Sequence, residues 1–122
     1  MERIICVGTD LASSRTSISI AEQFDGVFAT AGVHPHDAKD TPEDYLIQLK
    51  ELLTNDKVVA VGEMGLDYFR NFSPPDLQRA VFQSQLELAR ELEMPVVIHN
   101  RDADEDLLQI IKNVSPPQAV LH

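Results

Sequence analysis

The chain has 122 residues, 43% hydrophobic and 25% charged, which are ordinary proportions for a globular domain. This composition excludes a disordered tail, a collagen-like repeat and a disulfide miniprotein. The formal net charge of −10 argues against nucleic-acid binding through a basic patch, although a bound divalent metal would reverse the sign locally.

The single cysteine, Cys6, sits in an apolar run and reads as a small core residue. No apolar run approaches the roughly 20 residues of a membrane span, and the N-terminus lacks a signal-peptide layout. A cytoplasmic protein with no membrane partner is the expectation. The length suits one domain, predicted to span 1–122, and falls short of the roughly 250 residues of an eight-stranded β/α barrel.

The elements follow in order. Ile4-Ile5-Cys6-Val7, closed by Gly8, reads as a buried strand. Asp10, Ser13 and Ser14 are N-cap candidates for a helix to about Phe24, with Ile18, Ala21 and Phe24 on its buried face. Val27–Ala31 is a second strand, ending in Gly32-Val33-His34-Pro35-His36. Thr41-Pro42 predicts a cap and first turn for a helix whose stripe is Tyr45, Leu46, Leu49, Leu52 and Leu53. Val58–Val61 is the third strand, running into Gly62-Glu63-Met64-Gly65. Ser73-Pro74-Pro75-Asp76 opens the longest helix, to about Glu93. Pro95–Ile98 is the fourth strand, running into His99. A fourth helix covers about Ala103 to Asn113, Ser115-Pro116-Pro117 breaks it, and Ala119–Leu121 is a fifth strand before His122.

This β-α alternation predicts an α/β fold with a parallel sheet covered by helices. Two architectures fit: about five strands and four helices of a partial TIM-type (β/α) barrel, or an open five-stranded doubly wound sheet. In both, function gathers at the C-terminal ends of the strands. Those ends hold all four histidines, His34, His36, His99 and His122, together with Glu63. A carboxylate and neutral imidazoles converging from neighbouring strand ends suit a divalent ion with open positions. Taken singly, a strand-end histidine is more often a hydrogen-bonded surface residue. Glu63 follows four apolar residues between two glycines, so it needs a compensating partner, and a salt bridge is the simpler alternative to a metal.

Four strings in register carry a resemblance: Gly32-Val33-His34-Pro35, Gly62-Glu63-Met64-Gly65-Leu66-Asp67-Tyr68, Ile98-His99-Asn100-Arg101-Asp102 and Leu121-His122. The chain resembles the TatD family of metal-dependent hydrolases over essentially its whole length. The stretches Ser73-Pro74 through Gln78 and Gln85-Leu86 to Ala89 match the usual helix of that family. The resemblance implies a β/α barrel and a metal-dependent deoxyribonuclease that cleaves phosphodiesters with activated water. It implies Glu63, His99 and His122 as metal ligands, with Glu63 bridging two metals. It places His34 and Arg101 at the substrate phosphate, and Asp67 matches the family's Gly-Leu-Asp aspartate, either a catalytic carboxylate acting on substrate or one that orders the ligands and the loop. His36 falls at a variable position and is expected to be dispensable. Tyr68 and Phe69 are candidates to stack on a base, against the alternative of core or lid packing.

The implied cofactor is a divalent ion, magnesium, manganese or zinc; carboxylate plus imidazole suits zinc, manganese, iron or nickel, and magnesium less. The runner-up chemistry is amidohydrolase-type C–N hydrolysis. The family's first strand with His-x-His and its later aspartate strand have no match, so the chain corresponds to strands two to six. An incomplete barrel of this kind is expected to be weakly active or inactive alone. Its exposed strand edges are expected to drive self-association.

Overall fold

The structure, a computed structural model, describes residues 3–70 and 72–121. Among them, β1 (Ile4–Cys6), β2 (Val27–Ala31), β3 (Val58–Asp67), β4 (Val96–Arg101) and β5 (Ala119–Leu121) form one sheet. The order is β1-β2-β3-β4-β5 and every pairing is parallel. A doubly wound sheet reverses direction at a switch point, and this one does not. The alternative architecture is therefore set aside, and the fold is a partial β/α barrel.

Helices α1 (Leu11–Gln23), α2 (Tyr45–Leu52), α3 (Pro75–Leu92) and α4 (Asp104–Val114) connect the strands. Asp10 caps α1 as expected. Its Oδ1 accepts the Ser13 N–H at 2.6 Å while the Ser13 hydroxyl takes the Asp10 N–H at 3.0 Å, closing a capping box. The predicted start of α2 is displaced. Pro35–Asp40 forms a 3₁₀ turn, and Thr41 ends that turn by donating its hydroxyl to the Ala38 carbonyl. The local side-chain bond competes with the helix, so α2 begins only at Tyr45.

The helix-facing core joins strand residues such as Val61, Met64, Leu66, Val96 and Ile98 to Leu49, Phe82, Leu86, Ala89 and Leu107. Strand alternation sends Val97 and His99 to the opposite face from Val96 and Ile98. Expected core positions in the first strand and at the end of α1 lie outside. Ile4 and Ile5 are 58% and 53% exposed because β1 is an edge strand. Phe24 is 59% exposed because it is the C-cap of α1 and not part of its packed face.

Strands β3 and β4 run further than predicted, reaching Asp67 and Arg101. The pairings Val61↔Val96 and Met64↔Ile98 place one extra residue in β3, a bulge at Gly62-Glu63. The glycines allow the two backbones to approach. A Cβ on Gly65, where φ is +139°, would lie 2.0 Å from the His99 carbonyl oxygen. Gly65→Ala is expected to lower stability by about 3 kcal/mol through strain and collision. Urea unfolding measures that loss, and an unchanged midpoint would contradict the close approach.

Candidate metal centre

The site is built where β2, β3 and β4 end. Beyond Ala31 the β2 backbone leaves the ladder, and each next residue finds another partner. The Gly32 N–H donates to the Ser14 hydroxyl at 3.2 Å, the Val33 N–H to Gln85 Oε1 at 2.8 Å and the His34 N–H to the Thr9 carbonyl at 2.8 Å. Glu63 projects from the bulge, its N–H donating to the Gly8 carbonyl at 3.0 Å. Gly65 pairs with His99 in register, so Glu63 and His99 come from adjacent strands.

Ligand-type atoms of His34, Glu63 and His99 all lie within 4.8 Å of one another. Glu63 Oε1 is 3.4 Å from His99 Nδ1 and 3.6 Å from His34 Nε2. The His34 and His99 rings are 4.7 Å apart, and the His34 and His36 rings 4.3 Å. The side chains of His34, Glu63 and His99 are 12% to 20% exposed, shielded from bulk water yet reachable.

Asp67 lies beneath them, 2% exposed. Its Oδ2 is 3.0 Å from both His36 Nε2 and His99 Nε2, and its Oδ1 accepts the Arg70 N–H at 2.9 Å. Burial alone would raise the Asp67 pKa. The Arg70 N–H and the His36 and His99 imidazoles outweigh it and bring the carboxyl from its usual 3.8 to about 2.

These bonds set the tautomers. An ionised carboxylate only accepts, so neutral His99 carries its proton on Nε2 and turns the Nδ1 lone pair toward Glu63. Two acceptors then face each other at 3.4 Å, an arrangement that a cation between them stabilises. Carboxylate plus imidazole is a donor set that fits a divalent ion. His34 differs. Its Nδ1 accepts the His36 N–H at 3.2 Å, which leaves the proton of the neutral ring on Nε2. His34 thus presents a donor toward the same space.

The other predicted residues are placed as follows. The Arg101 guanidinium lies 4.0 Å above the Phe69 ring, and that of Arg70 is 5.5 Å from it. The Tyr68 hydroxyl donates to Asp106 at 2.6 Å and accepts from Arg79 at 3.0 Å. Its ring borders an open cleft of about 510 Å³ lined also by Asp102, Asp104, Glu105 and Asp106, whose acidity does not suit phosphate. His122 lies outside the described residues. Sequence reasoning missed three participants. His36, expected to be dispensable, bonds Asp67 and stacks edge-on against Phe72 at 4.8 Å. Gln78 and Gln85 clasp the backbone around the site. Two glutamines seven residues apart on an otherwise apolar helix face were a visible signal.

Sequential parallel β/α units with imidazoles and a carboxylate gathered at the strand ends define a segment of a β/α barrel with a candidate metal centre. A family model described as TatD related DNase matches residues 1–122, and the chain belongs to the TatD family. The chain is 46% identical over 112 residues to the uncharacterized metal-dependent hydrolase YabD of Bacillus subtilis, covering 92% of this chain and 44% of that protein. It is 42% identical over 121 residues to the 3′-5′ ssDNA/RNA exonuclease TatD of Klebsiella pneumoniae, covering 98% and 46% respectively. The crystal structure of YJJV, a TatD homologue from Escherichia coli K12, superposes with a TM-score of 0.91 at 30% identity. That match covers all of this chain and 48% of YJJV. The chain thus spans about half the length of the curated relatives it matches. No described helix is long and apolar enough to cross a membrane.

The depressed Asp67 carboxyl has a sign that can be measured. Its contribution to stability is complete above the ordinary aspartate pKa of 3.8 and is lost as pH falls through about 2. Asp67→Asn should therefore cost about 2 kcal/mol at neutral pH, since hydrogen bonds to charged groups are at stake. Denaturant titrations of the two proteins from pH 6 downward should show this gap closing below 3.8.

Proposed function

We propose that the chain carries part of the active centre of a nuclease that hydrolyses phosphodiesters of DNA. The observation that supports this most directly is the Glu63 Oε1–His99 Nδ1 pair, two acceptors at 3.4 Å with the other ring nitrogen of His99 held by Asp67. The names of relatives such as the Klebsiella exonuclease favour nucleic acid as the substrate class.

Glu63 and His99 would hold a divalent ion, with His122 as a further ligand. The chemistry supplied by that ion is activation of water and neutralisation of charge on phosphoryl oxygens. The remaining work falls to this chain's own groups. Asp67 fixes the His99 tautomer and, being ionised, favours a positive charge nearby. His34 directs its Nε2–H into the site, where it would donate to a phosphate oxygen. Arg101, exposed at the end of β4, would grip a second phosphate with its planar fork. Phe69 beneath it offers a ring on which a base would stack, while Tyr68 packs on the main core.

Manganese or zinc should raise the melting temperature of the purified chain, and excess chelator should reverse the rise. Glu63→Ala should remove the effect. Scanning calorimetry with and without metal tests this, and a wild-type chain indifferent to both ions would sink the metal centre.

A second reading concerns the 122-residue chain itself. Strands β1 and β5 are edges, with Ile4, Ile5, Val120 and Leu121 between 53% and 66% exposed. Further barrel strands would cover such edges in a longer chain; without them, a second copy takes their place and the chain is weakly active or inactive. Sedimentation velocity should give a dimer or larger species at micromolar concentration, and a stable monomer would count against it.

A further inference from the structure

Asp67 ends its strand, and residues 32–34 lie beyond theirs, so backbone groups there need partners other than a neighbouring strand. For Val33 and Asp67, helix α3 supplies them. Gln78 and Gln85 are 1% and 0% exposed and, seven residues apart, share one helix face about two turns from each other. Gln85 Oε1 accepts the Val33 N–H at 2.8 Å, and its Nε2 donates to the Val33 carbonyl at 3.0 Å. Gln78 Oε1 accepts the Asp67 N–H at 2.9 Å, and its Nε2 donates to the carbonyls of Asp67 at 3.1 Å and Ser73 at 2.8 Å.

Each amide thus takes both polar groups of a single backbone residue. That is a two-point attachment, which fixes direction as well as distance. A core glutamine is costly unless satisfied, and a methionine or leucine would fill similar volume without that demand. Volume therefore does not explain the choice. Location does: Val33 immediately precedes His34, and Asp67 carries the carboxylate that holds His36 and His99.

We infer that Gln78 and Gln85 are positioning residues through which α3 orients the centre. Gln85 sets His34 by clasping Val33. Gln78 sets Asp67 and, through its carboxylate, the tautomer and direction of His99. The two clasps act on different histidines, so their losses are distinguishable. The assignment rests on the metal-centre reading above only for its metal readout.

The test uses the 122-residue chain labelled with nitrogen-15. Imidazole nitrogen shifts of the metal-free protein at neutral pH report which ring nitrogen carries the proton, and calorimetry with manganese reports affinity. Gln78→Met should mix the His99 tautomers and weaken manganese binding about tenfold, while His34 keeps its wild-type signals. Gln85→Met should move the His34 signals and leave both His99 and the manganese affinity unchanged. A merely structural role would lower the melting temperature of both variants and leave all ring signals in place. That result, or both variants disturbing the same histidine, overturns the assignment. Gln78→Glu and Gln85→Glu keep the acceptor and lose the donor. If the methionine variants do not fold, these must show the same split between His99 and His34. A wild-type chain that takes up no manganese would refute the metal centre, and the ring signals would still decide the role of the glutamines.

Discussion

One oxygen of Asp67 meets two imidazoles, and the rest of the centre follows from that contact. Because the carboxylate is buried and stays ionised, it can only accept. His99 must then point its proton inward and its lone pair at Glu63, and His36 is held beside it. Independently of that carboxylate, the His36 backbone N–H donates to His34 and leaves that ring as a donor. The distinction between a side chain that binds a cation and one that offers a proton to an anion is thus set one layer below the residues that perform it. Neither role could be assigned from distances among the ligand atoms alone, which place His34 and His99 on an equal footing.

The fold was largely legible in the chain because apolar runs and amphipathic stretches alternate without interruption. The four helices and five strands occur in the predicted order. What failed was local. Thr41-Pro42 has the composition of a helix start, yet the Thr41 hydroxyl found a nearer partner in Ala38 and closed the preceding turn. Glu63 and His99 looked like residues just past their strands, whereas the glycines around Glu63 let β3 continue through a bulge and carry both residues within the sheet. Burial at the edges was misjudged for a different reason. Ile4 and Ile5 are as apolar as any core residue, and periodicity carries no information about which strand lacks a neighbour.

The centre was legible as a set of residues and less so as a set of roles. Histidine and carboxylate at strand ends are visible in any reading of the chain. The tautomers depend on backbone donors that no motif encodes, such as the N–H groups of Arg70 and His36. The charge balance shows the same limit. A net charge of −10 suggests a surface that repels polyanions, yet Arg70 and Arg101 flank Phe69 at the end of the sheet. Local arrangement, not the total, decides what approaches that rim.

The glutamine clasps also bear on how the molecule opens. The amides of Val33 and Asp67 donate to side chains buried on α3, so neither can exchange with solvent while that helix stays docked. Undocking α3 exposes Phe82, Leu86 and Ala89, which belong to the main core. Opening of the backbone at Val33 and Asp67 is consequently tied to α3, and their order is lost with the cooperative unit that contains that helix.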